Sequence, residues 1–179
     1  PIVDADGETK IGFYSEYSHR VVPIADCVIN AEWTKDIISA FKEYFSLGIK
    51  GYNEQNGTGD VREVAVKEVS GNLIITVVTP KRSLKNEKEL ISILQNNIKN
   101  EFSLYHNINS NKNNVIFGDE YRLLYGKPNY RAEMLGIKYK IGVTSFIQVN
   151  TAVCEKLYKT VSELVGNKED KTVIDAYSG

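Results

Sequence analysis

The chain is poor in the residue types that most often carry chemistry. It has two cysteines, two histidines, four prolines and one tryptophan in 179 residues. Cys27 and Cys154 make neither a disulfide framework nor a complete metal site, and they fit a reducing, cytoplasmic setting. His19 and His106 stand far apart, with no serine or cysteine nucleophile at a recognisable spacing, so no hydrolase triad is legible. Both read as histidines that cap a hairpin or meet solvent. No apolar run approaches the ~20 residues needed to cross a bilayer, and no signal peptide is visible at the start. The formal net charge of −1 exerts no global pull on nucleic acid. The chain opens on Pro1 rather than on methionine and reads as an internal piece of a longer protein.

What is present is ordinary globular material, 42% hydrophobic and 25% charged, enough for a sizeable core. The segment IGFYSEYSHRVVPIADCVIN has two β-rich runs around Ser15–His19 and predicts a hairpin. Asn30 is then placed to cap a helix in which Trp33, Ile37, Ile38, Phe41, Tyr44 and Phe45 recur at helical steps, with Gly48 as the stop. VREVAVKEV and NLIITVVTP, joined by Ser70-Gly71 and ended by Pro80, predict a second hairpin. Asn86 and Glu89 are spaced as a capping box for a second helix with Leu90, Ile91, Leu94 and Ile98 on one face. FSLYHNI and NVIFGDEYRLLYG follow, and then IKYKIGVT, where Ile137, Tyr139, Ile141 and Val143 alternate with Lys138 and Lys140 as in a strand with one buried face. A third helix starts near Asn150 and carries Val153, Leu157, Val161 and Leu164 up to Gly166. TVIDAY reads as a last strand. Cys154 shares a face with Val153, Leu157 and Tyr158, which predicts a buried structural thiol.

The pattern predicts an α+β fold, antiparallel sheets with packed helices, over residues 1–145. Residues 146–179 have a strand–helix–strand rhythm and read as the start of an α/β domain. Two places invite function. From Arg122 to Lys140, the basic residues Arg122, Lys127, Arg131, Lys138 and Lys140 face one acid, Glu133, with Tyr121, Tyr125, Tyr130 and Tyr139 interleaved. Cations track phosphates and aromatic faces stack bases, as a single-stranded nucleic acid requires. A solvated strand face with inward tyrosines is the other reading. At the end of the chain, Asp175-Ala176-Tyr177-Ser178-Gly179 puts an acid and an aromatic at a strand edge, where ligands of open α/β sheets sit.

The block SFIQVN, a helix of about twenty residues and then VIDAYSG together resemble the RNA (uracil-5-)-methyltransferases, as does GFYSEYSHRVVPIADCVI upstream. NVIFGDEYRLLYG has a family counterpart too, and the likeness leans towards bacterial 23S ribosomal RNA members. Such enzymes move a methyl group from S-adenosylmethionine to carbon 5 of a uridine. The resemblance implies a central domain that runs into the first strand of a Rossmann-like methyltransferase domain. It also implies that Gln148 contacts S-adenosylmethionine, that Tyr177 lines the same cofactor, and that Phe146 lies in the RNA cleft. Cys27 matches the last of the four thiolates that hold a four-iron, four-sulfur cluster in some members, with Val28 in place of the usual proline.

In that family a cysteine thiolate adds to carbon 6 of the uracil and a carboxylate later removes the carbon 5 proton. The thiolate stands in a Ser-Cys-Asn-Pro turn that does not occur here, so the resemblance implies no catalytic residue in this chain and no methyl transfer by it alone. The amino-terminal RNA-binding barrel of many members likewise has no counterpart. The partner implied is ribosomal RNA, with no membrane and no protein partner. A second reading stays open: a non-catalytic α+β module that holds RNA through Arg122–Lys140.

Overall fold

The computed structural model describes residues 2–5, 8–18, 21–24, 31–54, 56–112, 115–166, 172–174 and 176, with the backbone alone for 2–5 and 8. Strands β1 (Ile2–Ala5), β2 (Glu8–Tyr14) and β3 (Val21–Pro23) pair antiparallel in that order. The hairpin expected around Ser15 is therefore formed. Helix α1 (Trp33–Ser46) follows from the three- and four-residue recurrence of its apolar residues and buries Ile37, Ile38, Ala40, Phe41 and Tyr44. Asn30 lies outside the described residues. The residue at the helix start is Glu32, which makes no side-chain cap.

Next come β4 (Glu63–Val69), β5 (Asn72–Thr79), helix α2 (Glu87–Asn97), β6 (Phe102–Ile108) and β7 (Glu120–Tyr125). They form one sheet in the order β4-β5-β6-β7. Ser70 and Gly71, at φ 50° and 80°, make the tight turn of the β4–β5 hairpin. The sheet is not purely antiparallel, because β5 and β6 pair parallel, with α2 as the crossover. Strand β5 is buried on both faces along nearly its whole length, as a central strand beside a parallel partner must be. The expected capping box is absent: Asn86 sits at φ 48°, ψ 44° and makes no side-chain cap. A capping side chain needs extended backbone at that position, and the left-handed conformation forgoes it.

Each face of this sheet carries its own cluster. On one side Leu73, Ile75, Val77 and Leu104 meet Phe41, Tyr44, Leu90 and Leu94 of the two helices. Each such fully buried side chain contributes about 1.5–3 kcal/mol of transfer free energy. On the other side Val69, Ile74 and Tyr105 meet Tyr130 and Ile141. These last two belong to the hairpin of β8 (Asn129–Met134) and β9 (Ile137–Gly142), which covers the sheet. The layers thus run helices, sheet, hairpin. Helix α3 (Thr151–Val165) closes the regular structure, with Asn150 Oδ1 accepting from Val153 N at 3.0 Å, as its spacing predicts. The last strand expected from TVIDAY is not formed at residues 172–174, and Val173 and Ile174 are exposed. A strand needs a partner edge for its ladder, and no described strand offers one here.

Candidate nucleic-acid interface and cofactor edge

Strand alternation decides which of the basic residues reach solvent. In β8–β9 the cross-strand pairs are Tyr130 with Ile141, Arg131 with Lys140, Ala132 with Tyr139, and Glu133 with Lys138. Tyr130, Ala132, Tyr139 and Ile141 turn towards the second cluster. Arg131, Lys138 and Lys140 are left exposed on the outer face. Arg131 and Lys140 sit directly across from each other, a like-charge pair that costs stability in a hairpin. Among the described residues no carboxylate forms an ion pair with any of these three. The inward tyrosines Tyr130 and Tyr139 and the outward cations therefore occur together on one hairpin.

Arg122 and Lys127 are placed differently. The Arg122 guanidinium bonds the Glu87 carboxylate at 2.5 Å, and Lys127 Nζ meets Glu101 at 2.7 Å. The Glu101 carboxylate, by hydrogen bond and charge, raises the Lys127 pKa above its ordinary value. Lys127 also belongs to a rigid turn. Gly126 has φ 84°, and a side chain there would meet Phe102 O at 2.4 Å. Ser103 Oγ donates to Lys127 O at 2.6 Å and lies 3.0 Å from the Tyr130 hydroxyl, while Tyr105 donates to Pro128 O at 2.9 Å. Burial pushes the Tyr105 and Tyr130 pKa values up, so both phenols stay protonated. The structure thus splits the basic stretch into a free patch, Arg131, Lys138 and Lys140, and two residues tied to carboxylates.

The chain leaves β9 through the turn Gly142–Ser145, where Ser145 N donates to Gly142 O at 3.3 Å and Gly142 N donates to Ser145 Oγ at 3.1 Å. Val143 and Ile147 pack on the second cluster. Phe146, between them, is 82% exposed, and Gln148 is exposed as well. The Gln148 amide has no hydrogen-bond partner among the described residues. It keeps both a donor and an acceptor free for a polar ligand. Tyr177 and Cys27 lie outside the described residues. The other cysteine, Cys154, is buried on α3, so this chain holds no four-thiolate set of its own. Its helical neighbours Val153, Leu157 and Tyr158 are exposed instead of packed around it.

Lys67 escaped the sequence reading. It stands on β4 between Ala65 and Val69 and reaches into the Gly142–Ser145 turn, donating to Val143 O at 3.0 Å, to Gly142 O at 3.4 Å and to Ser145 O. A lysine on the face that also carries buried Val69 was the signal available.

No family model matches the chain. It is 32% identical, over its whole length, to an uncharacterized RNA methyltransferase from Clostridium acetobutylicum. It is 34% identical, again over its whole length, to another from Halalkalibacterium halodurans. The chain spans 40% of the length of both relatives. Among solved structures, the Pyrococcus abyssi tRNA (uracil-54, C5)-methyltransferase in complex with S-adenosyl-L-homocysteine matches 88% of this chain with a TM-score of 0.72 and 25% identity, over 38% of its own length. The α+β fold seen here is therefore one found inside a methyltransferase. The family that the chain's sequence and fold both fit is that of the RNA (uracil-5-)-methyltransferases.

Proposed function

We propose that this chain is the central, RNA-holding part of an S-adenosylmethionine-dependent enzyme that methylates carbon 5 of a uridine in ribosomal RNA. The observation that carries the reading is similarity along the whole chain to RNA methyltransferases, together with the fold match to a uracil-C5 enzyme that was solved with S-adenosyl-L-homocysteine. The bound cofactor would supply the methyl group. The work of this chain is to hold and orient. Arg131, Lys138 and Lys140 meet the RNA backbone, because unpaired cations on a rigid strand face can exchange counterions for phosphates without first breaking an ion pair. Phe146 offers an exposed ring for a base to stack on. The Gln148 amide holds the cofactor, with Tyr177 on the same wall. Arg122 and Lys127 are secondary contacts, since each must first leave its carboxylate.

The boundary between the central domain and the methyltransferase domain falls at residues 145 and 146. Support comes from α3, whose apolar residues Val153, Leu157, Val161 and Leu164 stay exposed. A helix with an uncovered apolar stripe lacks the layer it is patterned to pack on. Cys27 would contribute one thiolate to an iron–sulfur site completed from outside this chain. Iron analysis of anaerobically prepared full-length protein tests that role, and iron-free protein would refute it. No helix among the described residues is long and apolar enough to cross a membrane, and a cytoplasmic setting is part of the proposal.

The test of function uses the full-length protein, methyl-labelled S-adenosylmethionine, and unmodified ribosomal and transfer RNA offered in parallel. Label on uridines of ribosomal RNA supports the reading. Label on transfer RNA alone overturns the substrate, and label on no RNA overturns the activity. A non-catalytic RNA module remains the second reading. It has the free basic face in its favour and would show RNA binding without transfer.

A further inference from the structure

We infer that Lys67 is a positioning residue that sets the course of the chain from the central domain into Phe146 and Gln148. The inference rests on the cofactor role proposed for Gln148. Lys67 is half-buried on β4, and its ammonium donates to the carbonyls of Gly142, Val143 and Ser145. Burial lowers its pKa from the usual lysine value. Taking an ammonium out of water without a carboxylate beside it is costly, and only well-placed hydrogen bonds offset that cost. Here the offsetting groups are all main-chain oxygens of one turn.

That turn follows β9 directly and is already closed by the Ser145–Gly142 hydrogen bonds. With Lys67 added, its carbonyls are fixed to the main sheet through a side chain 75–78 residues away in sequence. Ile147 then seats on the second cluster, which leaves Phe146 and Gln148 facing solvent. A neutral side chain could close the turn locally. A long cation reaching over from β4 ties the turn's carbonyls to the sheet, alongside the packing of Val143 and Ile147, and so helps set where Gln148 stands relative to the basic face of β8–β9. A positioned contact misplaced by about 1 Å loses much of its value.

The test measures S-adenosylmethionine affinity by calorimetry on the full-length wild type, Lys67→Met, Gln148→Ala and the double variant. Lys67→Met weakens binding about tenfold, in keeping with the cost of a misplaced contact. The double variant is then no weaker than Gln148→Ala, because the lysine acts through the glutamine. Lys67→Arg restores most of the affinity, since a guanidinium also donates to several carbonyls. Wild-type-like binding by Lys67→Met, or losses that add in full in the double variant, would overturn the inference. Amide exchange on the wild type, Lys67→Met and Lys67→Gln covers the other cases. Faster exchange at Gly142 and Ser145 in Lys67→Met or Lys67→Gln, with β5 and β6 still protected, is the expected result. Unchanged exchange at the turn, or loss of protection throughout, overturns it. A wild type that binds no S-adenosylmethionine overturns the functional reading instead, and the exchange result still judges Lys67.

Discussion

His106 Nε2 lies 2.6 Å from Thr79 Oγ1, and the Thr79 hydroxyl already donates its proton to Lys81 O at 2.6 Å. The ring must therefore be the donor, which fixes the Nε2–H tautomer and leaves Nδ1 a buried acceptor without a partner among the described residues. Burial, and then the nearby Arg122 charge, lower its pKa from the ordinary 6.5, while Glu87 and Glu120 pull the other way. Below about pH 6.5 the unfolded chain binds a proton that the folded chain refuses. The resulting stability is present above that pH and is lost as the pH falls. The thermal midpoint of the wild type should thus drop between about pH 7.5 and pH 5.5 by more than that of His106→Gln. Equal drops would contradict the assignment. The second prediction at this scale concerns Gln148→Ala in the full-length protein. It should weaken S-adenosylmethionine binding by about 1–3 kcal/mol, the cost of stranding one polar partner, with an unchanged melting temperature, because Gln148 is exposed and its amide has no hydrogen-bond partner among the described residues. Calorimetry that finds wild-type affinity removes Gln148 from the cofactor site.

The elements differ in how clearly their sequences announce them. Helix α1 was legible because Trp33, Ile37, Phe41 and Tyr44 repeat at helical spacing. The β4–β5 hairpin was legible because Ser70-Gly71 separates two strand-like runs. Strand β8 was not singled out, since NYRAEM has no strong β-former run and depends on Tyr130 and Ala132 finding the second cluster. The parallel β5–β6 pairing was missed too, although the continuous apolar run NLIITVVT, a helix and a second strand are the pattern of a parallel crossover. The turn between β8 and β9 runs through Leu135 at φ 52° and Gly136 at φ 79°. The first of these is a poor residue for a left-handed position. Leu135→Asn should raise the melting temperature by a few degrees, relieving about 1 kcal/mol of backbone strain. A lower melting temperature would show that the exposed leucine side chain matters more than its backbone.

At the scale of the whole molecule, the layers leave one small hairpin with a free charged face, as the proposed RNA-holding role requires. The helices cover one face of the sheet, and β8–β9 covers the other with its tyrosines and Ile141. The outer face of that hairpin is consequently not needed for packing and is free to be charged. The continuation past β9, held by Lys67, delivers Phe146 and Gln148 from the same hairpin. The sequence showed the basic stretch and the SFIQVN block, but it could not separate the free cations from the two held by Glu87 and Glu101. Those acids come from α2 and from the segment after it, distant in sequence. The central claim is that this face presents RNA for methylation at uridine carbon 5. It is tested most directly by nucleoside mass spectrometry of ribosomal RNA treated with the full-length protein and S-adenosylmethionine. Wild type and an Arg131→Gln, Lys138→Gln, Lys140→Gln triple variant would be compared at limiting and at saturating RNA. The account predicts 5-methyluridine from the wild type, and from the variant a roughly tenfold or greater loss at limiting RNA that saturation largely restores. Absence of 5-methyluridine from the wild type, or equal yields from both proteins at limiting RNA, would contradict it.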